Sequence, residues 1–193
     1  MKMNHKKTTA VFAVIIVCLS VVVYLNCNHT EKGIEKYNEK ISTDEELMTF
    51  SLDELGKYEE INFQSTKKGG ILFSSYGSMF IAKYNSEEFI KQKNVIDNLK
   101  YQADPIIFDK TKYALPETEF QVGNWKFRVL CSKSANYTIP KNIDLIGLNE
   151  KHNKISYLTF YDQDIDYLCE IDNADGYMEK FVKKYFNYNF YKE

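Results

Sequence analysis

The densest run of groups able to do chemistry is the acidic stretch Asp162-Gln-Asp-Ile-Asp166, followed by Glu170, Asp172 and Asp175. Carboxylates at alternate positions can wrap a calcium ion, since each offers a hard oxygen toward a common centre. The helix-loop-helix calcium loop also demands glycine at its sixth position and glutamate at its twelfth. Counted from Asp162 those positions hold Tyr167 and Asn173; counted back from Gly176, the first ligand position holds Ile171. The template fails in both frames, so a solvated loop at a strand end is expected and no metal ligand is assigned. Paired carboxylates for acid/base work are brought together by the fold, not by spacing, and no catalytic residue is assigned either.

The cysteines form two groups. Cys18 and Cys27 belong to an apolar N-terminal segment and its exit, while Cys131 and Cys169 fall on predicted strands. In an oxidising compartment Cys131 and Cys169 are a candidate disulfide, whose closed loop would stabilise by about 4 kcal/mol on the chain-entropy model. The competing reading is two small buried hydrophobes. Thiol, metal and serine chemistry all lack partners. The histidines are His5, His29 and His152, and only His152 lies in the predicted domain. Ser78 follows Gly77 without the second glycine of a nucleophile elbow. Gly69-Gly70 reads as a turn rather than a phosphate cradle. No cofactor-binding residue is expected.

The strongest signal is at the N-terminus. Lys2, Lys6 and Lys7 precede an apolar run from Ala10 to Leu25, and no fixed charge occurs between Lys7 and Glu31. A stretch of that length rivals the ~30 Å hydrocarbon core of a bilayer. Small residues two apart, which a signal peptidase needs, are missing at Val23, Tyr24, Leu25 and Asn26. Cys27 follows Leu25-Asn26, a poor context for lipidation. The lysines before the run place the N-terminus inside. The expected organisation is a short cytoplasmic N-terminus (1–9), a transmembrane signal anchor (10–27), a stalk (28–50) and an extracytoplasmic domain (51–193).

Within that domain, Ser51 and Glu54 have capping-box spacing for a short helix from Leu52 to about Tyr58. Strands are expected at 61–65, 71–73 and 79–82, with a turn at 67–70 and a loop at 74–78. Asn85 or Ser86 caps a helix that aligns Phe89, Gln92, Ile96 and Leu99. A connection containing Pro105 and Pro116 follows. Gly123-Asn124 turns a hairpin over 120–131, and residues 149–154 join strands 143–148 and 155–161. A last strand is expected over 165–171. The closing helix carries a stripe of Met178, Phe181, Val182 and Tyr185. The class is α+β: a hairpin-rich antiparallel sheet, two amphipathic helices on one of its faces, and one transmembrane helix before it.

Composition bounds the function. With 44% hydrophobic and 27% charged residues, wholesale disorder is excluded. A net charge of −2 gives no reason to expect nucleic acid. Arg128 is the lone arginine, and lysine is a poor substitute where a planar fork must grip phosphate or carboxylate. Aromatic content of 15% fits core packing first and a binding face second, with Trp125 and a Tyr76 loop as candidates if exposed. The leading expectation is a non-enzymatic module, tied to membrane lipid by its N-terminal helix and binding a protein or envelope partner. The alternatives are an envelope hydrolase whose carboxylates converge only in three dimensions, and a small lipoprotein acting as sensor or immunity factor.

Overall fold

A computed structural model describes residues 5–26, 29–35, 52–69, 74–107, 113–131, 141–171 and 175–192. Helix α1 (His5–Asn26) leads directly into β1 (His29–Lys32). A 3-10 turn (Leu52–Leu55) precedes the long hairpin of β2 (Glu60–Gly69) and β3 (Ser74–Lys83), and α2 (Ser86–Asp97) follows. Two short strands, β4 (Ile106–Ile107) and β5 (Tyr113–Leu115), pair with each other. Then come β6 (Glu119–Val122), β7 (Trp125–Val129), β8 (Asn142–Asn149) and β9 (Lys154–Asp162). Short α3 (Tyr167–Glu170) and α4 (Tyr177–Phe186) close the chain, with a 3-10 turn at Phe190–Lys192.

The main sheet runs β1-β2-β3-β9-β8-β7-β6, with every pairing antiparallel. β9 returns from the far hairpins to lie between β3 and β8. The α+β class is therefore correct, but the layering differs from expectation. Side chains alternate across a strand, so each central strand feeds two cores. Met79, Ile81, Leu145, Leu158 and Phe160 point into one core with Phe181, Val182 and Tyr185 of α4. Phe80, Ala82, Ile146, Ile155 and Tyr157 point into the other with Leu55, Phe89 and Ile96. The two amphipathic helices thus cover opposite faces. The long apolar runs of β8 and β9 offered no clean alternation because both faces are buried.

Several local expectations hold. Asn85 Oδ1 accepts from the Glu88 amide at 2.9 Å, capping α2. Gly123 sits at φ +60 in the β6–β7 turn. Trp125, Phe127 and Val129 are buried while Lys126 is exposed. Others need correction. His29–Lys32, expected in the stalk, is an edge strand against β2. Lys67, Lys68 and Gly69, expected to turn, continue β2; Ser74 to Ser78, expected as a loop, begin β3. The helix after Ser51 is a single 3-10 turn. The strand expected at 165–171 is the helix α3, preceded by Ile165 at φ 65. Residues 71–73, Cys27 and most of the expected stalk lie outside the described residues.

Helix α4 packs close against β2 and β3. Gln64 and Lys68 of β2 donate to the carbonyls of Phe186 and Lys184, which end the helix without intrahelical partners. Phe160 is the aromatic hub beneath it, its ring centroid 4.4 Å from Tyr185, 4.9 Å from Phe181 and 5.4 Å from Tyr167. Approach this close needs a bare backbone at Gly77, where an added Cβ would stand 2.5 Å from the Tyr185 carbonyl oxygen. Gly77→Ala should therefore cost about 1–3 kcal/mol, read from the urea midpoint at unchanged slope.

The N-terminal helix is the exception to this packing. Its large apolar side chains from Val11 to Tyr24 are exposed on all sides. No helix among the described residues is long and apolar enough to cross a membrane. The fold by itself thus does not support the transmembrane assignment.

Candidate functional site

Two polar constellations stand at opposite ends of β9. The first is a groove of about 520 Å³ lined by Glu60, Lys83, Lys151, His152, Asn153, Lys154 and Lys192. Strand register builds it. Glu60 opens β2 opposite Lys83, which closes β3, and Lys83 faces Lys154, which opens β9. The 3-10 turn Glu150–His152 brings Lys151 and His152 alongside, with Asn153 at φ 52 reversing the chain into β9. Lys192 arrives from the C-terminal turn.

Four lysines against one glutamate make the groove electropositive. Lys83 also reaches Glu59, at 3.9 Å between largely exposed groups, a contact of little energetic weight. His152 Nδ1 is buried without a hydrogen-bond partner, as are both amide atoms of Asn149, the residue paired with Lys154. The groove thus adjoins unspent polar atoms that ordinary protein interiors satisfy. It holds one carboxylate, so the pair a glycosidase-type hydrolysis requires is not assembled there.

The second constellation lies about 26 Å away along β9. Asp162 ends the strand fully buried, with exposed Asp164 and Asp166 following it. One carboxylate oxygen from each lies within 4.8 Å of the others. Asp162 Oδ2 accepts from the Tyr167 amide at 3.0 Å, while Oδ1 is buried without a partner. Lys141 Nζ donates to the Gln163 carbonyl at 2.6 Å, pinning the turn. Burial pushes the Asp162 carboxyl up to about 7; the Tyr167 amide opposes that rise, and Asp164 and Asp166 add to it. The solvated loop expected here is therefore solvated only in part.

The other residues singled out from sequence are dispersed. Cys131 and Cys169 are free thiols, Cys131 partly buried at 3.7 Å from Gln102 Oε1 and Cys169 exposed on α3. The expected disulfide between them is not formed. Trp125 is wholly buried, edge-on to Phe190 at 5.6 Å, and cannot serve as an exposed anchor. Tyr76 lies on β3 rather than on a loop, its ring 6.4 Å from Tyr161. Apart from His152, none of the groove residues was singled out beforehand. Lys151 and Lys154 in a predicted turn were the available signal, but convergence with Lys83 and Lys192 depends on strand register. Comparison with models of protein families, with characterised proteins and with solved structures found no match.

A buried carboxyl with a raised pKa makes stability depend on pH with a definite sign. Between about 4 and 7 the folded chain keeps a proton on Asp162 that the unfolded chain releases. Stability from this group is full below the unfolded value and is lost as pH rises through 7. Asp162→Asn, which retains the acceptor for Tyr167, should gain on the wild type by on the order of 2 kcal/mol between pH 5 and 8 in metal-free buffer. Chemical denaturation of both proteins at the two pH values measures this.

Proposed function

We propose that the chain is a membrane-anchored binding module. Helix α1 holds it in lipid with the N-terminus on the cytoplasmic side, and the domain outside uses its lysine groove to hold a polyanionic component of the envelope. The observation that carries this reading is the convergence of Lys83, Lys151, Lys154, Lys192 and His152 on one groove, at the sheet end opposite the one α1 enters.

Support for anchoring comes from the exposed apolar circumference of α1. Residues such as Phe12, Ile16 and Val23 are each at least 60% exposed. A patch of this kind marks a lipid or protein contact. Within the helix the apolar run from Ala10 to Leu25 extends about 24 Å. Its internal hydroxyl is already satisfied, with Ser20 Oγ donating to the Ile16 carbonyl at 2.8 Å, as an apolar medium requires.

Support for the ligand class comes from the kind of cation in the groove. Lysine ammonium groups are hydrated point charges without the fork that fixes one phosphate or carboxylate. Several of them along an open groove suit a flexible chain of repeating anions, held by summed field rather than by one grip.

Two measurements follow. The full chain should float with phospholipid vesicles and resist extraction by high salt or carbonate, whereas a chain lacking residues 1–26 should stay in the aqueous phase. Recovery of the full chain in a salt wash would remove the anchor. For the groove, fluorescence anisotropy with labelled polyphosphate and labelled polyglutamate separates the two anion chemistries. Lys151→Glu with Lys192→Glu, both at exposed positions, should weaken the preferred probe at least tenfold. Equal binding by the variant would place the ligand elsewhere.

A further inference from the structure

We propose that Asp162, Asp164 and Asp166 form a binding site for a hard divalent cation, calcium foremost. The site is independent of the lysine groove and lies at the other end of the sheet. Its first support is geometric. Two oxygens on opposite sides of a calcium ion, at about 2.4 Å each, stand ~4.8 Å apart, and ligands at right angles stand closer. The three aspartates offer one oxygen each inside that limit. A single small rotation of exposed Asp164 or Asp166 adjusts the shell, since neither is held by packing.

The second support is the state of Asp162. A cluster of exposed acids needs no ion, because water solvates it. Asp162 is different: it is fully buried, one oxygen is fixed by the Tyr167 amide, and the other has no hydrogen-bond partner while two more carboxylates stand beside it. A buried acceptor left without a donor is costly, and buried charges are ordinarily paired or coordinate metals. A cation at the centre of the triad would satisfy Oδ1 and relieve the repulsion among the three carboxylates together.

The donor set decides the kind of ion. All three ligands are carboxylate oxygens, with no thiolate or imidazole in the group, which favours calcium, magnesium or manganese over zinc or copper. Calcium fits best, because flexible loop ligands and water can complete its variable shell, while magnesium demands a near-ideal octahedron. Three ligands from one short loop place the affinity in the range of extracellular calcium modules, Kd ~10⁻⁴–10⁻³ M. The ion would fix the connection from β9 into α3, where Ile165 already holds a left-handed conformation unusual for a β-branched residue.

The test uses the full chain in detergent, thermally unfolded with and without 10 mM calcium chloride. Calcium should raise the Tm by about 5 °C. The double variant Asp164→Asn, Asp166→Asn should lose that shift while unfolding near the wild-type temperature without calcium, since both side chains are exposed. Terbium should report the same site through emission sensitised by Tyr167, quenched by added calcium and absent in the double variant. No shift with calcium, magnesium or manganese, or an equal shift in the double variant, overturns the proposal.

Discussion

A sheet whose central strands are apolar on both faces has to be covered twice, and the rest of this architecture answers that demand. β3, β9 and β8 each send alternate side chains into two separate cores. Neither core could be left to water, because burial of apolar surface is the main favourable term in folding. Helix α2 and the Leu52–Leu55 turn close one side, and α4 with the C-terminal turn closes the other. The close seat of α4 follows from this. Gly77 clears a path for its backbone, and Gln64 and Lys68 take up the carbonyls at its end.

The same layering leaves the strand ends as the places for polar chemistry. Faces are occupied and edges are short, so charged residues collect where strands begin and stop. At one end β2, β3 and β9 contribute Glu60, Lys83 and Lys154 in adjacent register. At the other, β9 runs into Asp162 and its neighbours. Neither end is of one sign: Glu59 and Glu60 stand beside the lysines of the first, and Lys67, Lys68 and Lys141 lie at the same sheet end as the aspartates of the second.

Where local chemistry decided the structure, the residues could be read directly. Gly123-Asn124 marked its turn because a positive φ was needed there, and Asn85 marked its helix because an orphan amide needed an acceptor. The stripe on α4 had helical period and nothing competing with it. Where tertiary contacts decided, reading failed for identifiable reasons. Ser74 to Ser78 look like a loop by composition, yet they are strand because β2 and β9 pair with them on both sides, and Gly77 among them leaves room for the backbone of α4. His29–Lys32 has no strand signature of its own and is ordered by the length of β2 beside it. The residues after Asp162 turn into a helix because that side chain accepts from the Tyr167 amide, a contact invisible to periodicity. The groove was illegible because its residues meet through register and chain return, at separations no motif spans; the acid cluster stood in the sequence as Asp162-Gln-Asp-Ile-Asp166, and only the burial of Asp162 was hidden.

The junction between α1 and β1 sets a mechanical limit. Two residues separate them, and the His29 ring lies 5.0 Å from that of Tyr24 while its Nε2 sits 3.0 Å from the Tyr24 carbonyl oxygen. So short a leash spans only about 10 Å even when taut. On the anchored reading the globe cannot roam like a tethered receptor and rides low over the bilayer. The ten-residue strands of the first hairpin then put the basic rim roughly 30 Å farther out. On that same reading a ligand of the rim would have to come down to that height, which favours material laid close over the lipid surface against anything suspended well beyond it.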